Sequence, residues 1–173
     1  MKVLCSRLKK NVPPHRLCVE RLSVAHWADK RIVCGGRVYD NLELPGFMAR
    51  LDGKPAGFLT YHRKGKVMDL VSIACRPRRR GAGAALLKAL VRQARREGCW
   101  SVRVATTREN MDALCFYQAM GFSLSGVRRG ALHRARRIKP SIPRVGNHGI
   151  PLEHEIVLVK DMRNHHEGSK ARR

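Results

Sequence analysis

Residues 78–90, RRRGAGAALLKAL, place three arginines and two glycines immediately before a leucine-rich helical run. The N-terminus of a helix exposes unpaired N–H groups and the positive end of the helix dipole. Gly81 and Gly83 lack the Cβ atoms that would keep a ligand away from the backbone, so the segment favours a bound phosphate. It is neither a Walker loop nor a complete GxGxxG motif, and a helix cap beside solvated charges explains it about as well.

A second group of residues lies in the segment 104–122, VATTRENMDALCFYQAMGF. Together with Arg78-x-x-Gly81-x-Gly83, it resembles the GNAT superfamily of acyl-CoA N-acyltransferases. The signature of that superfamily is an R/Q-x-x-G-x-G/A turn, then a strand and an N-x-x-A-x-x-F-Y-x-x-x-G-F helix. The matching helix positions are Asn110, Ala113, Phe116, Tyr117, Gly121 and Phe122.

The turn pattern can be read in two registers, because Arg80-x-x-Gly83-x-Ala85 also satisfies it. The Arg78 register is preferred, since it places Leu86 and Leu87 where helices of this superfamily carry paired leucines. In element order the resemblance covers residues 18 to about 160.

The resemblance implies that acetyl-CoA is the acyl donor and that the turn holds its pyrophosphate. In the superfamily, the pantetheine arm pairs like an extra strand with the strand before the turn, and an asparagine on the later helix contacts the arm. The implied cofactor-binding residues are therefore Ile73, Ala74, Cys75, Arg78, Arg79, Arg80, Gly81, Ala82, Gly83, Ala84, Asn110 and Phe116. A plain helix N-cap is an equally well motivated role for Asn110.

Acyl transfer from a thioester to an amine needs a deprotonated amine, a donor to the oxyanion and a proton for the departing thiolate. The resemblance implies that Tyr117 protonates the thiolate and that a strand N–H holds the thioester carbonyl. A phenol with a pKa near 10 suits a thiolate of comparable basicity. Asp69 is the candidate general base, because members of the superfamily often carry a carboxylate on the strand before the turn. Glu155 and His62 are its rivals.

The charge of the chain is strongly positive, with 36 Lys and Arg against 13 Asp and Glu, a formal net charge of +23. Such a balance indicates a polyanionic partner, either nucleic acid, an acidic surface or a phosphate-rich cofactor, and argues against a polycationic substrate. A generally basic composition explains the charge equally well.

Cysteine and histidine spacing gives no sign of a metal site. The six cysteines form no CxxC pair and no HExxH occurs, so we predict reduced thiols and no metal. No apolar run is long enough to span a membrane and no signal peptide is visible, which predicts a soluble cytoplasmic protein.

Apolar periodicity and turn residues predict an α+β domain with a central mixed, mostly antiparallel sheet flanked by helices. We expect a basic N-terminal extension over 1–17, the acetyltransferase domain over 18–162, and a polar, disordered tail over 163–173. Within the domain, the predicted elements are a strand at 18–22, a helix from Ser23 to about Gly35, strands at 47–51, 56–62 and 67–75, a helix from Ala84, a strand at 101–106, a helix at 111–120 and a last strand near 155–159.

The leading functional prediction is an N-acetyltransferase that moves the acetyl group of acetyl-CoA to a primary amine by direct attack in a ternary complex. The acceptor, a small molecule or a peptide, is expected near residues 24–46 and 130–151, which carry Trp27, Tyr39, Leu44, Ile142 and Ile150. The alternatives are a basic nucleic-acid or ribosome-associated module and a non-catalytic acyl-CoA sensor on the same fold. Homodimers are common in the superfamily, although no feature of this sequence marks one.

Overall fold

A seven-stranded sheet organises the chain in the computed structural model, which describes residues 2–9 and 11–163. The strands are β1 (Val3–Arg7), β2 (Arg31–Cys34), β3 (Arg37–Asp40), β4 (Gly46–Leu51), β5 (Lys54–Lys64), β6 (Val67–Cys75), β7 (Ser101–Thr107), β8 (Ser123–Arg128) and β9 (Glu155–Asp161). The helices are α1 (Pro13–Trp27), α2 (Ala82–Arg96), α3 (Met111–Ala119) and α4 (Ala131–Ile138). Among these described elements, no helix is long and apolar enough to cross a membrane.

The strand order of the large sheet is β1-β4-β5-β6-β7-β9-β8, and β2 and β3 form a separate hairpin. All neighbours in the large sheet are antiparallel except β6 and β7, which are parallel. The parallel pair needs a crossover, and α2 supplies it. The predicted α+β class with a mixed, mostly antiparallel sheet is confirmed.

Each face of the sheet carries its own apolar core. Leucine spacing on α2 fully buries Leu86, Leu87 and Leu90 against one face, where they form a cluster with residues of β6 and β7 that include Met68 and Val102. The other face receives α1, and the buried residues of that core are Val19, Leu22, Leu42, Met48, Phe58 and Ala74. The sheet is therefore buried on both sides along its centre, as a sheet with parallel strands requires.

The predicted central elements agree closely with the structure, and the N-terminal ones do not. The strand predicted at 18–22 is wrong, because these residues lie inside α1, which begins at Pro13. Proline is well suited to the first turn of a helix, since its missing N–H is not needed there. The predicted 1–17 extension supplies β1, which pairs with β4 along its whole length, and the start of α1.

The helix predicted from Ser23 to about Gly35 is correct only as far as Trp27. Helix α1 ends at Trp27, where Ala28 adopts a left-handed conformation, and the β-branched residues that follow form β2. Gly35 and Gly36, both with positive φ, make the turn of the β2–β3 hairpin. Helix α4 was not predicted, and of the predicted 163–173 tail only Arg163 falls within the described residues.

A buried polar cluster fixes the segment after β3 to the centre of the sheet. The side-chain oxygen of Asn41 lies 2.9 Å from the Thr60 hydroxyl and 2.8 Å from the Ser72 hydroxyl, and its amide donates to Ser23 at 3.0 Å. All four side chains are almost fully buried. Because the polar atoms of these side chains hydrogen-bond to one another, the cluster holds four parts of the fold together. These are α1, β5, β6 and the segment that follows β3.

His15 makes the stability of this fold depend on pH. The ring is 4% exposed, and its Nδ1 accepts a hydrogen bond from the backbone N–H of Lys9. Burial lowers the pKa of His15, and the nearby charges of Arg50 and Lys9 lower it further. The unfolded chain therefore binds a proton more readily than the folded one, and folding stability falls as the pH drops below the ordinary histidine value of about 6.5.

We expect His15→Gln to flatten the dependence of melting temperature on pH between about pH 7 and pH 5, because it removes this proton uptake. Thermal unfolding followed by circular dichroism at several pH values measures the slope. His133→Gln, at an exposed position of α4, is the control and should keep the wild-type slope. An unchanged slope in His15→Gln would contradict the assignment.

Candidate active site

The sheet opens between β6 and β7. Their parallel pairing runs from Val67 opposite Ser101 to Leu70 opposite Val104 and then stops, although both strands continue. Beyond this point β6 still pairs with β5, and β7 still pairs with β9. Backbone N–H and C=O groups of β6 beyond Leu70 therefore face an open gap in the middle of the sheet, where an extended ligand could pair with them.

A bulge lies at the point where the strands part. The register between β5 and β6 passes from Thr60 opposite Ser72 to Tyr61 opposite Leu70, so Val71 is an extra residue on β6. A bulge redirects the backbone groups of the bulged strand and increases its local twist. Here it lies next to the open gap.

The arginine-rich turn leads from the end of β6 into the N-terminus of α2. Gly81 is the N-cap residue, with φ of 81°, and no side chain caps the helix. Among the described residues, the N–H groups of Ala82, Gly83 and Ala84 have no backbone or side-chain acceptor. This first turn has the geometry of an anion site, and the exposed side chains of the preceding arginines surround it with positive charge.

Helix α3 lies beside this turn. A Cβ added to Gly83 would be 3.5 Å from the Phe116 ring and 3.9 Å from the Cys75 sulfur. Asp112, in the first turn of α3, lies 3.6 Å from an Arg79 nitrogen and 3.9 Å from an Arg78 nitrogen. The turn, the end of β6 and α3 therefore converge at one end of the gap.

Asn110 is the N-cap of α3, because its side-chain oxygen accepts a hydrogen bond from the backbone N–H of Ala113 at 3.2 Å. The capping role that the sequence offered for Asn110 is therefore present. The side-chain NH2 group of Asn110 has no hydrogen-bond partner among the described residues and is left for other contacts.

Tyr117 is the buried residue of α3, with 5% of its surface exposed and its ring centroid 5.3 Å from that of Phe116 and 5.8 Å from that of Phe122. Burial raises the pKa of Tyr117 far above its ordinary value, and the thiols of Cys75 and Cys34 raise it further. Cys75 ends β6, and Cys34 lies in β2 on the other side of the sheet.

A cavity of about 280 Å³ lies on the face of the sheet that carries the β2–β3 hairpin and α4. Its charged lining consists of five cationic side chains, one histidine and two carboxylates, which are Arg37, His62, Lys64, Asp69, Arg103, Arg128, Arg134 and Glu155. Cys34 and Tyr39 also line it, and the Tyr39 ring lies 5.2 Å from His62.

Both carboxylates of the cavity are engaged by arginines. Asp69 accepts two hydrogen bonds from Arg103, from Nε at 2.6 Å and from Nη2 at 2.8 Å. Glu155 accepts one from Arg128 at 3.2 Å. His62 has no hydrogen-bond partner among the described residues.

The structure thus brings the predicted site residues into two groups. The predicted residues of the end of β6, the arginine-rich turn and α3 converge at one end of the gap, and Asp69 lies in the cavity with its rivals Glu155 and His62. Of the five residues named from the sequence for the acceptor region, Tyr39 lines the cavity, whereas Trp27, Leu44, Ile142 and Ile150 do not. No sequence pattern points to Arg103 and Arg128, because only the sheet pairing places them beside the carboxylates.

Comparisons with known proteins identify the family. Residues 16–122 match the model of the acetyltransferase (GNAT) family. YdhI of Bacillus subtilis is 32% identical over 136 residues, which cover 78% of this chain and 85% of YdhI.

Solved structures share the fold. A Bacillus subtilis acetyltransferase in complex with CoA superimposes with a TM-score of 0.67 at 13% identity, covering 93% of this chain and 99% of its own. A GNAT family acetyltransferase of Elizabethkingia anophelis with acetyl-CoA bound also gives 0.67, at 14% identity, covering 92% of this chain and 98% of its own. Sequence and fold together show that the chain is a bacterial-type member of the GNAT acetyltransferase family.

Proposed function

We propose that the protein is an acetyl-CoA-dependent N-acetyltransferase in which a primary amine attacks the thioester directly in a ternary complex. One observation carries this proposal. An unpaired strand edge leads into an uncapped helix N-terminus, and the buried Tyr117 belongs to the apolar cluster against which Cys75 and Phe116 pack. The CoA and acetyl-CoA complexes of the two structural neighbours support it.

The proposed cofactor site follows the gap from one end to the other. Backbone groups of Ile73, Ala74 and Cys75 would pair with the amides of the pantetheine arm, in the manner of an added strand. The N–H groups of residues 82–84 would receive the pyrophosphate, with the side chains of Arg78, Arg79 and Arg80 providing the countercharge. Asn110 and Phe116 flank the arm from α3. The bulge at Val71 offers a backbone N–H for the thioester carbonyl, where negative charge develops during attack.

Tyr117 is the proposed acid. When the C–S bond of the thioester breaks, the sulfur leaves with the electron pair and takes the phenolic proton. The raised pKa of Tyr117 keeps the proton on the phenol until a strongly basic thiolate forms in the same desolvated gap. A phenolate at this position would lack hydration, so burial favours the neutral phenol.

For the general base, the geometry favours His62 over Asp69 and Glu155. Both oxygens of Asp69 accept hydrogen bonds from Arg103, and Glu155 is bonded to Arg128, so neither carboxylate is free to take a proton without losing a contact. The ring of His62 is partly buried in the cavity wall and has no such contact. Histidine is also the side chain best suited to exchange protons near neutral pH. In this proposal Asp69 holds Arg103 in place.

The anion site is tested by Gly81→Ala. Alanine at φ of 81° is strained by about 1–2 kcal/mol, so the backbone should rotate and move the N–H groups away from the pyrophosphate. We expect acetyl-CoA affinity, measured by calorimetry, to fall about tenfold. Gly65→Ala is the matched control, because Gly65 also has positive φ and open space around it but lies in the β5–β6 turn. Equal affinities of the two variants would contradict this role of the turn.

The acid is tested by Tyr117→Phe. We expect kcat for release of free thiol from acetyl-CoA to fall by about 10²-fold or more, with acetyl-CoA affinity little changed, because only the proton is removed. Tyr61→Phe, at another buried tyrosine on the same face, should keep the wild-type kcat. Acetyl-CoA binding without turnover of any amine would instead indicate an acyl-CoA sensor. Salt-sensitive binding of polynucleotides that CoA does not displace would indicate the nucleic-acid module.

The base is tested by comparing His62→Gln with Asp69→Asn. If His62 takes the proton from the amine, His62→Gln lowers kcat by about 10²-fold. Asp69→Asn should act mainly on KM, because it releases Arg103 into the cavity. Steady-state kinetics at saturating acetyl-CoA separates the two effects. A greater loss of kcat in Asp69→Asn than in His62→Gln would identify Asp69 as the general base.

A further inference from the structure

We infer that the acceptor is a small primary amine that also carries a carboxylate or phosphate group. This inference rests on the proposed function and specifies the substrate class of the same site. Its basis is the charge of the cavity on the hairpin side of the sheet, which has five cationic side chains against two carboxylates.

The two carboxylates do not offset the other cations of the cavity. Asp69 is bonded to Arg103 through both of its oxygens, and Glu155 is bonded to Arg128. The side chains of these pairs are 14–34% exposed, so they form a partly buried floor. Each pair is neutral as a whole and adds little attraction for a positively charged amine.

The remaining cations are Arg37, Lys64 and Arg134, and none of them has an acidic partner among the described residues. Arg134 is held in place, because its Nη1 donates to the carbonyl oxygen of Arg129 at 2.9 Å. Its other N–H groups are left for a ligand. These three residues come from the hairpin, β5 and α4, so they surround the cavity from three sides.

Basic residues are common throughout this chain, but Arg37, Lys64 and Arg134 are exposed around a concave space whose floor is partly buried, where the field of several like charges adds up. An amine that approaches as an ammonium ion meets an excess of three positive charges. A carboxylate or phosphate on the same molecule reverses this balance and can form charge-assisted hydrogen bonds with the guanidinium groups. Polyamines and other polycationic acceptors are therefore disfavoured.

The size of the cavity points to a small molecule. Its volume of about 280 Å³ lies at or below the lower end of the range for drug-sized ligands. Amino acids and phosphorylated amino sugars fit both the size and the charge. They share the chemistry that the cavity recognises, which is one amine and one anionic group.

The experiment compares amines in matched pairs that differ in the anionic group. L-Methionine is paired with L-methioninamide, and glucosamine 6-phosphate with glucosamine, and thiol release from acetyl-CoA is measured with the full-length protein. We expect kcat/KM to be at least about tenfold higher for the anionic member of one pair. The pair that responds distinguishes a carboxylate from a phosphate acceptor.

Cavity variants connect this preference to the structure. Arg37→Gln and Arg134→Gln should raise KM for the anionic amine with little change in kcat, and so reduce the preference. Arg137→Gln is the control, because Arg137 is exposed on the same helix as Arg134 but does not line the cavity. Thermal unfolding confirms that each variant is folded.

Equal or better turnover of the uncharged amines would overturn the inference, and so would a preference that persists in both cavity variants. If acetyl-CoA binds but no amine is turned over, the inference is tested by the change in melting temperature of the acetyl-CoA complex when each amine of the same pairs is added. Stabilisation by the anionic members alone supports the inference, and its absence overturns it. If acetyl-CoA itself does not bind in calorimetry, the proposed function fails first, and the inference fails with it.

Discussion

The structure depends on an interruption of hydrogen bonding between two parallel strands. Where β6 and β7 part after Leu70 and Val104, the sheet leaves a row of backbone groups without partners at the centre of the protein. Such groups are costly when buried and unpaired, so an opening of this kind needs support on every other side. Pairing of β6 with β5, pairing of β7 with β9 and the apolar core beneath α2 provide that support.

The opening connects the two faces of the sheet. On one face lie the helix N-terminus, Phe116 and Tyr117, which are suited to hold an acyl donor and to return a proton. On the other face lies the cavity with its paired carboxylates and unpaired cations. In the proposed function, donor and acceptor would approach the same point from opposite sides, so neither would pass through the space that the other occupies. This arrangement is the structural requirement of direct transfer in a ternary complex.

Local signals in the sequence were enough to predict the helices and the turn that form the proposed donor side. The glycine-containing turn, the leucine spacing of α2 and the cap at Asn110 each act over a few residues. The acceptor side was predicted only as two regions, because it is built by contacts between distant segments. Arg103 becomes a partner of Asp69 only through strand pairing across 34 residues. Helix α4 was not predicted because its four basic residues conceal an apolar face of which only Leu132 and Ala135 are buried. The N-terminal helix was not predicted from the sequence, because Pro13-Pro14 can interrupt a helix as well as begin one.

The cluster of Asn41, Ser23, Thr60 and Ser72 restricts how this sequence can diverge. Its members come from four separate segments, and Ser72 lies on β6 in the part of the strand that no longer pairs with β7. An apolar residue introduced at one position would leave polar atoms of the others buried without partners, whereas joint replacement of all four could be nearly neutral. Related chains should therefore either keep this set of polar residues or exchange it as a unit, so these four columns of an alignment would covary.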